Sequence, residues 1–272
     1  MTSSAPTTAL FNPGEGRMDS WQLGESADEF VKRLPPLTAS GQVYDWIWVY
    51  NPYARSNGKT RSPVLTAEYE VRGRQLLAES LQKRKDIQAK DPGKAKGKGT
   101  TTQQLNDEAK LLQQRITDLA VETNVLSGKW MLFPGLDDVS RIWRLIVDAV
   151  INNRLGSSAK VAPDNGEDGE RLICVYTKDF RDKEDILRVL QELVSMGVVG
   201  SGRPIHYKSD SYTLIGVYRQ TADDYGLRAS LHSSHKMLSE AKLAKTAAPQ
   251  RKQSTLDGYA KARDSINWRR QS

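Results

Sequence analysis

Three lysines interrupt segments that otherwise read as β-strands: Lys129 in GKWMLF, Lys160 in SAKVA and Lys208 in PIHYK. Aliphatic residues cost less at such positions, because a buried ammonium must keep its water or find a partner. On a curved sheet the three could converge as a basic patch for phosphate. The competing reading leaves each of them facing solvent on an uncovered sheet face. Around Lys208, the stretch HYKSDSYT adds Tyr207, Ser209 and Asp210, polar groups able to orient a ligand and equally able to form a turn.

The second set of residues is aromatic. In YDWIWVYNPY, Tyr44 to Tyr53, a strand would place Tyr44, Trp46, Trp48 and Tyr50 on one face. Such a face is either core or a platform for nucleotide bases. Strand propensity and the large apolar area of tryptophan favour core for Trp46 and Trp48, and for Trp130 and Trp143 elsewhere. Tyr53 differs. It falls in the loop after the strand, beside Arg55, where stacking on a base is worth roughly 1–3 kcal/mol.

Catalysis finds little footing. His206, His232 and His235 have no metal-ligand spacing with carboxylates or with the single cysteine, Cys174. The chain has no glycine-rich phosphate loop and no nucleophile elbow. The expectation is therefore a protein that is not an enzyme and that needs no cofactor or metal. Cys174, in the apolar run LICVY, reads as a small buried hydrophobe. Near the C-terminus, Gln253, Leu256 and Tyr259 follow the Q-x-x-L-x-x-aromatic spacing of peptides that dock on the sliding clamp of DNA replication. The usual second aromatic is missing there, and an ordinary helix start explains the same residues.

These residues need elements to position them. The chain has 272 residues, 38% of them hydrophobic, and a net charge of +7. Residues 236–272 carry nine basic and three acidic side chains, so this tail holds most of the excess and could touch nucleic acid non-specifically. No apolar leader or membrane-length run is present, and one cysteine excludes an internal disulfide, so a cytoplasmic and also nuclear location is expected. Residues 1–22, rich in Ser, Thr, Pro and Gly, read as disordered. Residues 23–226 read as one α+β domain with a Lys/Gly-rich hinge near 89–102, and residues 227–272 as a basic tail, partly helical or disordered.

Within the domain, ESADEFVKRL has the capping-box pattern, Ser26 with Glu29 three residues on. Two long helices flank the hinge. From about Val125 to Tyr218 the order is strand–helix–strand–strand–helix–strand–strand, with PIHYK and YTLIGVY as the last two strands. That order predicts one antiparallel sheet backed by helices on one face.

Four blocks in this span, SGKWMLF, RLGSSAKVAP, ICVYTKDFRDKEDILRVLQEL and YKSDSYTLIGVY, resemble an uncharacterised eukaryotic family. It is typified by a basophilic-leukaemia-expressed protein, with a fold like that of the cap-binding translation initiation factor 4E. The resemblance covers about residues 125–218, and Tyr44–Tyr53 more loosely. It implies a curved antiparallel sheet with a concave face that can take a ligand, and it places a base-stacking aromatic near Tyr53. Cap binding does not follow from it, because function resides in site residues. Factor 4E holds a methylated guanine between two tryptophans and a glutamate; here Glu122 has no tryptophan beside it. The turn PDNGEDGE carries four acids where 4E places its phosphate-binding bases. The expected function is a binding module of 4E-like fold whose partner is RNA or a nucleotide. The alternatives are a protein–protein adaptor and a clamp-docking factor.

Overall fold

Strands that alternate apolar and polar side chains, joined by helices with one apolar stripe, build a sheet covered on a single face. The computed structural model describes residues 10–53, 63–90 and 98–247. In chain order the elements are α1 (Ala27–Arg33), β1 (Ile47–Tyr50), α2 (Thr66–Ala89), α3 (Lys98–Glu122), β2 (Gly128–Leu132), α4 (Leu136–Ile151), β3 (Ser158–Val161), β4 (Ile173–Thr177), α5 (Lys183–Ser195), β5 (His206–Ser209), α6 (Asp210–Leu214), β6 (His232–Ser233) and α7 (Ser234–Ala247). The strands lie in the order β1-β3-β4-β2-β5-β6, each pair antiparallel. This is the expected α+β class, an open antiparallel sheet packed against helices, consistent with a 4E-like architecture. The chain divides into two units, Met1–Met237 and Leu238–Ser272; the sheet belongs to the first, and the second holds the C-terminal part of α7.

The core lies between the sheet and α1, α4 and α5. Helix α4 presents Val139, Ile142, Trp143, Ile146 and Val150, all buried as their spacing predicts, and packs on β1 and β3. Helix α1 closes over α4, with Phe30 and Trp143 rings 6.5 Å apart; its capping box of Ser26 and Glu29 is formed. From the sheet, Trp130 donates its indole N–H to the carbonyl of Ile186 in α5 at 3.1 Å and meets Tyr207 edge-on at 5.4 Å. The Tyr207 and Thr177 hydroxyls share a hydrogen bond of 2.6 Å. Gly128 is required here by close approach, since a Cβ would stand 2.2 Å from the Tyr207 hydroxyl.

Beside this core, α2 and α3 pack on each other, and α2 holds the segment after β5. Gly73 admits Ile215, whose Cγ2 would lie 2.5 Å from any Cβ at that glycine. Arg84 of α2 donates to the carbonyls of Asp224 and Leu105, both at 3.0 Å.

Four expectations change. Trp46 and Trp48 do not enter the core: Ile47 and Val49 take the helix face, and the aromatics take the open one. They recover contact by stacking instead, Trp48 on Tyr50 at 5.6 Å and on Tyr176 at 5.9 Å. YTLIGVY is not a strand. Ser209 caps a short helix by accepting from the Tyr212 N–H, and Gly216, at φ 76°, turns the chain out of it. Residues 10–22 have structure: Trp48 donates its backbone N–H to Asp19 at 2.8 Å, and Trp21 donates to Trp48 at 3.0 Å. The domain also runs past residue 226, because β6 pairs with β5 and Leu231 donates to Tyr207 at 2.8 Å. The hinge centre at 91–97 lies outside the described residues; α3 already begins at Lys98.

Trp130→Ala should lower the unfolding free energy by about 3–5 kcal/mol, the cost of a large cavity in a packed core. Trp48→Ala, which removes only stacked and half-exposed area, should cost about 1–2 kcal/mol. Urea unfolding of both variants measures the difference; equal losses would return Trp48 to the core.

Candidate functional site

Cross-strand register brings the three lysines together. One row across the sheet reads Trp48, Lys160, Cys174, Met131, His206; the next reads Tyr50, Ser158, Tyr176, Lys129, Lys208. Residues directly opposite on neighbouring strands share a face, so all three lysines stand on the side away from α4 and α5. Lys129 and Lys208 are direct neighbours. Lys129 and Lys160 flank the same ring, their Nζ atoms 5.8 and 6.0 Å from the centroid of Tyr176.

Their partners differ. Lys129 is ion-paired with Asp210 and donates to the Thr213 hydroxyl at 2.8 Å. Asp210, the first residue of α6, also accepts from the Ser127 hydroxyl, which ties α6 to the start of β2. Lys160 has no carboxylate within ion-pair reach among the described residues; its Nζ lies 3.6 Å from the Trp46 centroid and 5.1 Å from that of Trp48. Lys208 likewise meets an aromatic face, Tyr218 at 3.7 Å. Such contacts return about 0.5–2 kcal/mol each, less than full hydration of an ammonium. Burial therefore pushes the Lys208 ammonium down to about 8, helped by the charge of Lys129 and opposed by that of Asp210. Lys160 also falls below the ordinary lysine value, chiefly through burial.

Above these lysines is a groove of about 900 Å³. Its floor is formed by Lys129, Lys160, Lys208, Met131 and Cys174, and its sides include Trp46, Phe133, Arg203, Tyr218 and Arg219. Phe133 and Tyr218 are 43% and 46% exposed, so flat apolar rings are open to a ligand beside the charged floor. Arg203 stands over Phe133 at 5.7 Å and pairs with Glu170 at 2.7 Å. Arg219, exposed, has no carboxylate within ion-pair reach among the described residues. The volume suits a ligand of nucleotide size.

The acidic turn borders a different cavity, of about 390 Å³, which shares Trp46 with the groove. Arg171 is buried beneath that turn, paired with Asp164 at 2.9 Å and donating to the Glu167 carbonyl at 3.0 Å. Asp164 is thereby engaged in holding its own loop, and the Glu167 carboxylate accepts from Asn165 within it at 2.9 Å.

Of the sequence candidates, Lys129, Lys160 and Lys208 meet, and Asp210 serves them by holding Lys129. Tyr207 does not join them. It points to the helix side, fully buried against Trp130, because its register is one residue out of step with Lys208. Tyr53 is exposed in the loop after β1, its N–H donating to Asn51 Oδ1 at 2.9 Å, and does not line the groove. Gln253, Leu256 and Tyr259 lie outside the described residues. Phe133, Arg203, Tyr218 and Arg219 were missed, since each sits in a connection whose path depends on tertiary contacts.

Cys174 reaches the floor as a thiol. Burial pushes it up to about 11, so it stays protonated near neutrality. Among the described residues, no group of three His, Cys, Asp or Glu side chains stands ready to hold a metal ion, and no helix is long and apolar enough to cross a membrane.

A sheet backed by helices, with cations and aromatic rings lining a groove on its other face, defines an α+β protein with a candidate binding groove. The chain belongs to the family of the basophilic leukemia-expressed protein Bles03, whose model matches residues 1–216. Among solved structures it is similar to Ascaris suum eIF4E-3 in complex with the m2,2,7G cap, at 19% identity and a TM-score of 0.28 over 32% of this chain. The same protein with the m7G cap gives 20% identity and a TM-score of 0.28. The matched region spans 52%, about half, of each of those chains.

The folded protein releases the Lys208 proton near pH 8, whereas an unfolded chain holds it to the ordinary lysine value of 10.5. Between these limits the unfolded state binds more protons, so the Lys208 contribution to stability rises with pH. Lys208→Met removes that contribution. The variant should be the more stable form at pH 7, and its advantage should shrink steadily from pH 8 to 10 in thermal melts. An advantage that stays constant with pH would show that Lys208 keeps an ordinary value.

Proposed function

We propose that this chain is a non-catalytic binding module that takes RNA or a nucleotide in the groove over Lys129, Lys160 and Lys208. One observation carries the reading: three strands deliver three lysines to one open face, two of them without a carboxylate, beside exposed rings. Phosphate supplies the charge that Lys160 and Lys208 lack, and a base supplies a flat surface for Phe133 or Tyr218. The basic tail adds sequence-independent attraction.

Recognition of the methylated cap in the manner of 4E is not part of this reading. Glu122, the candidate for the edge of a guanine, is held by both terminal nitrogens of Arg72, at 2.7 and 2.8 Å. The protein-adaptor reading loses ground for a physical reason: an apolar peptide would have to cover two uncompensated ammonium groups, Lys208 buried and Lys160 half-buried.

Fluorescence anisotropy with a short single-stranded RNA tests the proposal. Lys160→Met and Lys208→Met should each weaken binding about tenfold at low salt and lower the salt slope by about 0.7. Ending the chain at residue 247 should weaken binding further without changing the effect of either substitution. Methylated guanosine triphosphate should bind no better than the unmethylated form. Full affinity in a folded double-lysine variant would remove the groove from the function.

A further inference from the structure

We infer that the groove reads a phosphate monoester, the free phosphate at the end of a nucleotide or of an RNA strand, rather than the diester of a continuous strand. This inference rests on the nucleotide reading above and narrows it.

Depth is the first reason. Lys129 and Lys208 are 6% and 4% exposed in the floor, Lys129 beside the ring of Tyr176 and Lys208 against that of Tyr218. A diester carries a sugar on both sides and offers two free oxygens, so its substituents keep it from reaching a floor this deep. A terminal phosphate presents three unsubstituted oxygens on one side.

Charge is the second. Asp210 already compensates Lys129, which leaves Lys160 and Lys208 as two floor cations without a carboxylate. One dianion matches that pair; a diester, with a single charge, leaves one of the two ammonium groups uncompensated. Arg219 stands exposed at the rim, where water screens it.

Both ammonium groups also rest on aromatic faces within 3.7 Å, a placement that an arriving anion can outbid without breaking an ion pair. Lys129 keeps its bonds to Asp210 and Thr213 and so fixes the neighbouring strand while the other two lysines turn to the ligand.

The charge states define a pH window. The groups facing Lys208 are His206 on its own strand, Lys129 from β2, Asp210 from α6, and Tyr218 and Arg219 from the segment beyond; Lys160 and Cys174 complete the floor. A monoester becomes a dianion above about pH 6. Lys208 loses its proton near 8. Affinity for a monoester should therefore rise from pH 5 to 7 and fall above 8, and binding at pH 8 should draw in roughly half a proton as the anion re-protonates Lys208.

The test is calorimetric titration of the full chain with adenosine 5′-monophosphate, adenosine 3′,5′-cyclic monophosphate, and one RNA 10-mer with and without a 5′-phosphate. Runs at pH 8 in two buffers of different ionisation enthalpy report proton uptake. The monoesters should bind at least tenfold tighter than their diester or unphosphorylated counterparts, with proton uptake that Lys208→Met abolishes. Equal binding of both RNAs, still sensitive to the lysine substitutions, would overturn the monoester and leave the RNA reading standing. No binding of any of the four would overturn both. The ligand comparison uses the unaltered chain, so it does not depend on a variant that folds.

Discussion

A sheet covered by helices on one side only must send every second residue of each strand to the uncovered side. In this protein that geometric constraint decides nearly everything else. The covered side takes Ile47, Val49, Val161, Val175, Trp130 and Tyr207, all fully buried. The open side receives what remains, and there the strands carry lysines and large rings. The groove is thus the complement of the core, and a one-residue slip of β5 would exchange Lys208 for Tyr207 and spoil both faces at once.

The open side still has to be held. Like charges directly opposite each other on neighbouring strands are destabilising, and Lys129 and Lys208 are such a pair. Asp210 relieves this by pairing with Lys129 from the first turn of α6. That turn is held in place by the Ser209 cap and by packing against α2 and α3. The two long helices therefore act on the groove through the short segment they support. A half-buried ion pair of this kind adds little to stability, but it gives the site one arrangement in place of several.

Much of the fold was legible because local signals and tertiary demands agree. The α4 stripe, the Ser26 capping box and the strands GKWMLF, SAKVA, RLICVYT and PIHYK all took their expected form. The lysines were legible too, as charges where strands prefer aliphatics. Period-two alternation alone, however, does not say which face the helices will cover, and so Trp46 and Trp48 went to the unexpected side. Nor does strand propensity reveal a hydroxyl cap, which is why YTLIGVY became a helix and a turn. Tyr218 and Arg219 reach the groove only because Gly216 redirects the chain.

The borders of the sheet carry a consequence of their own. Strand β1 would present bare N–H and C=O groups to any extended peptide, yet Asp19 and Trp21 already bond to Trp48 along that border. At the far side, β6 is two residues long and covers β5 before α7 begins. Among the described residues, neither border offers a long bare strand as a template for a visiting chain. That leaves the broad face, with its groove, as the larger accessible part of the sheet.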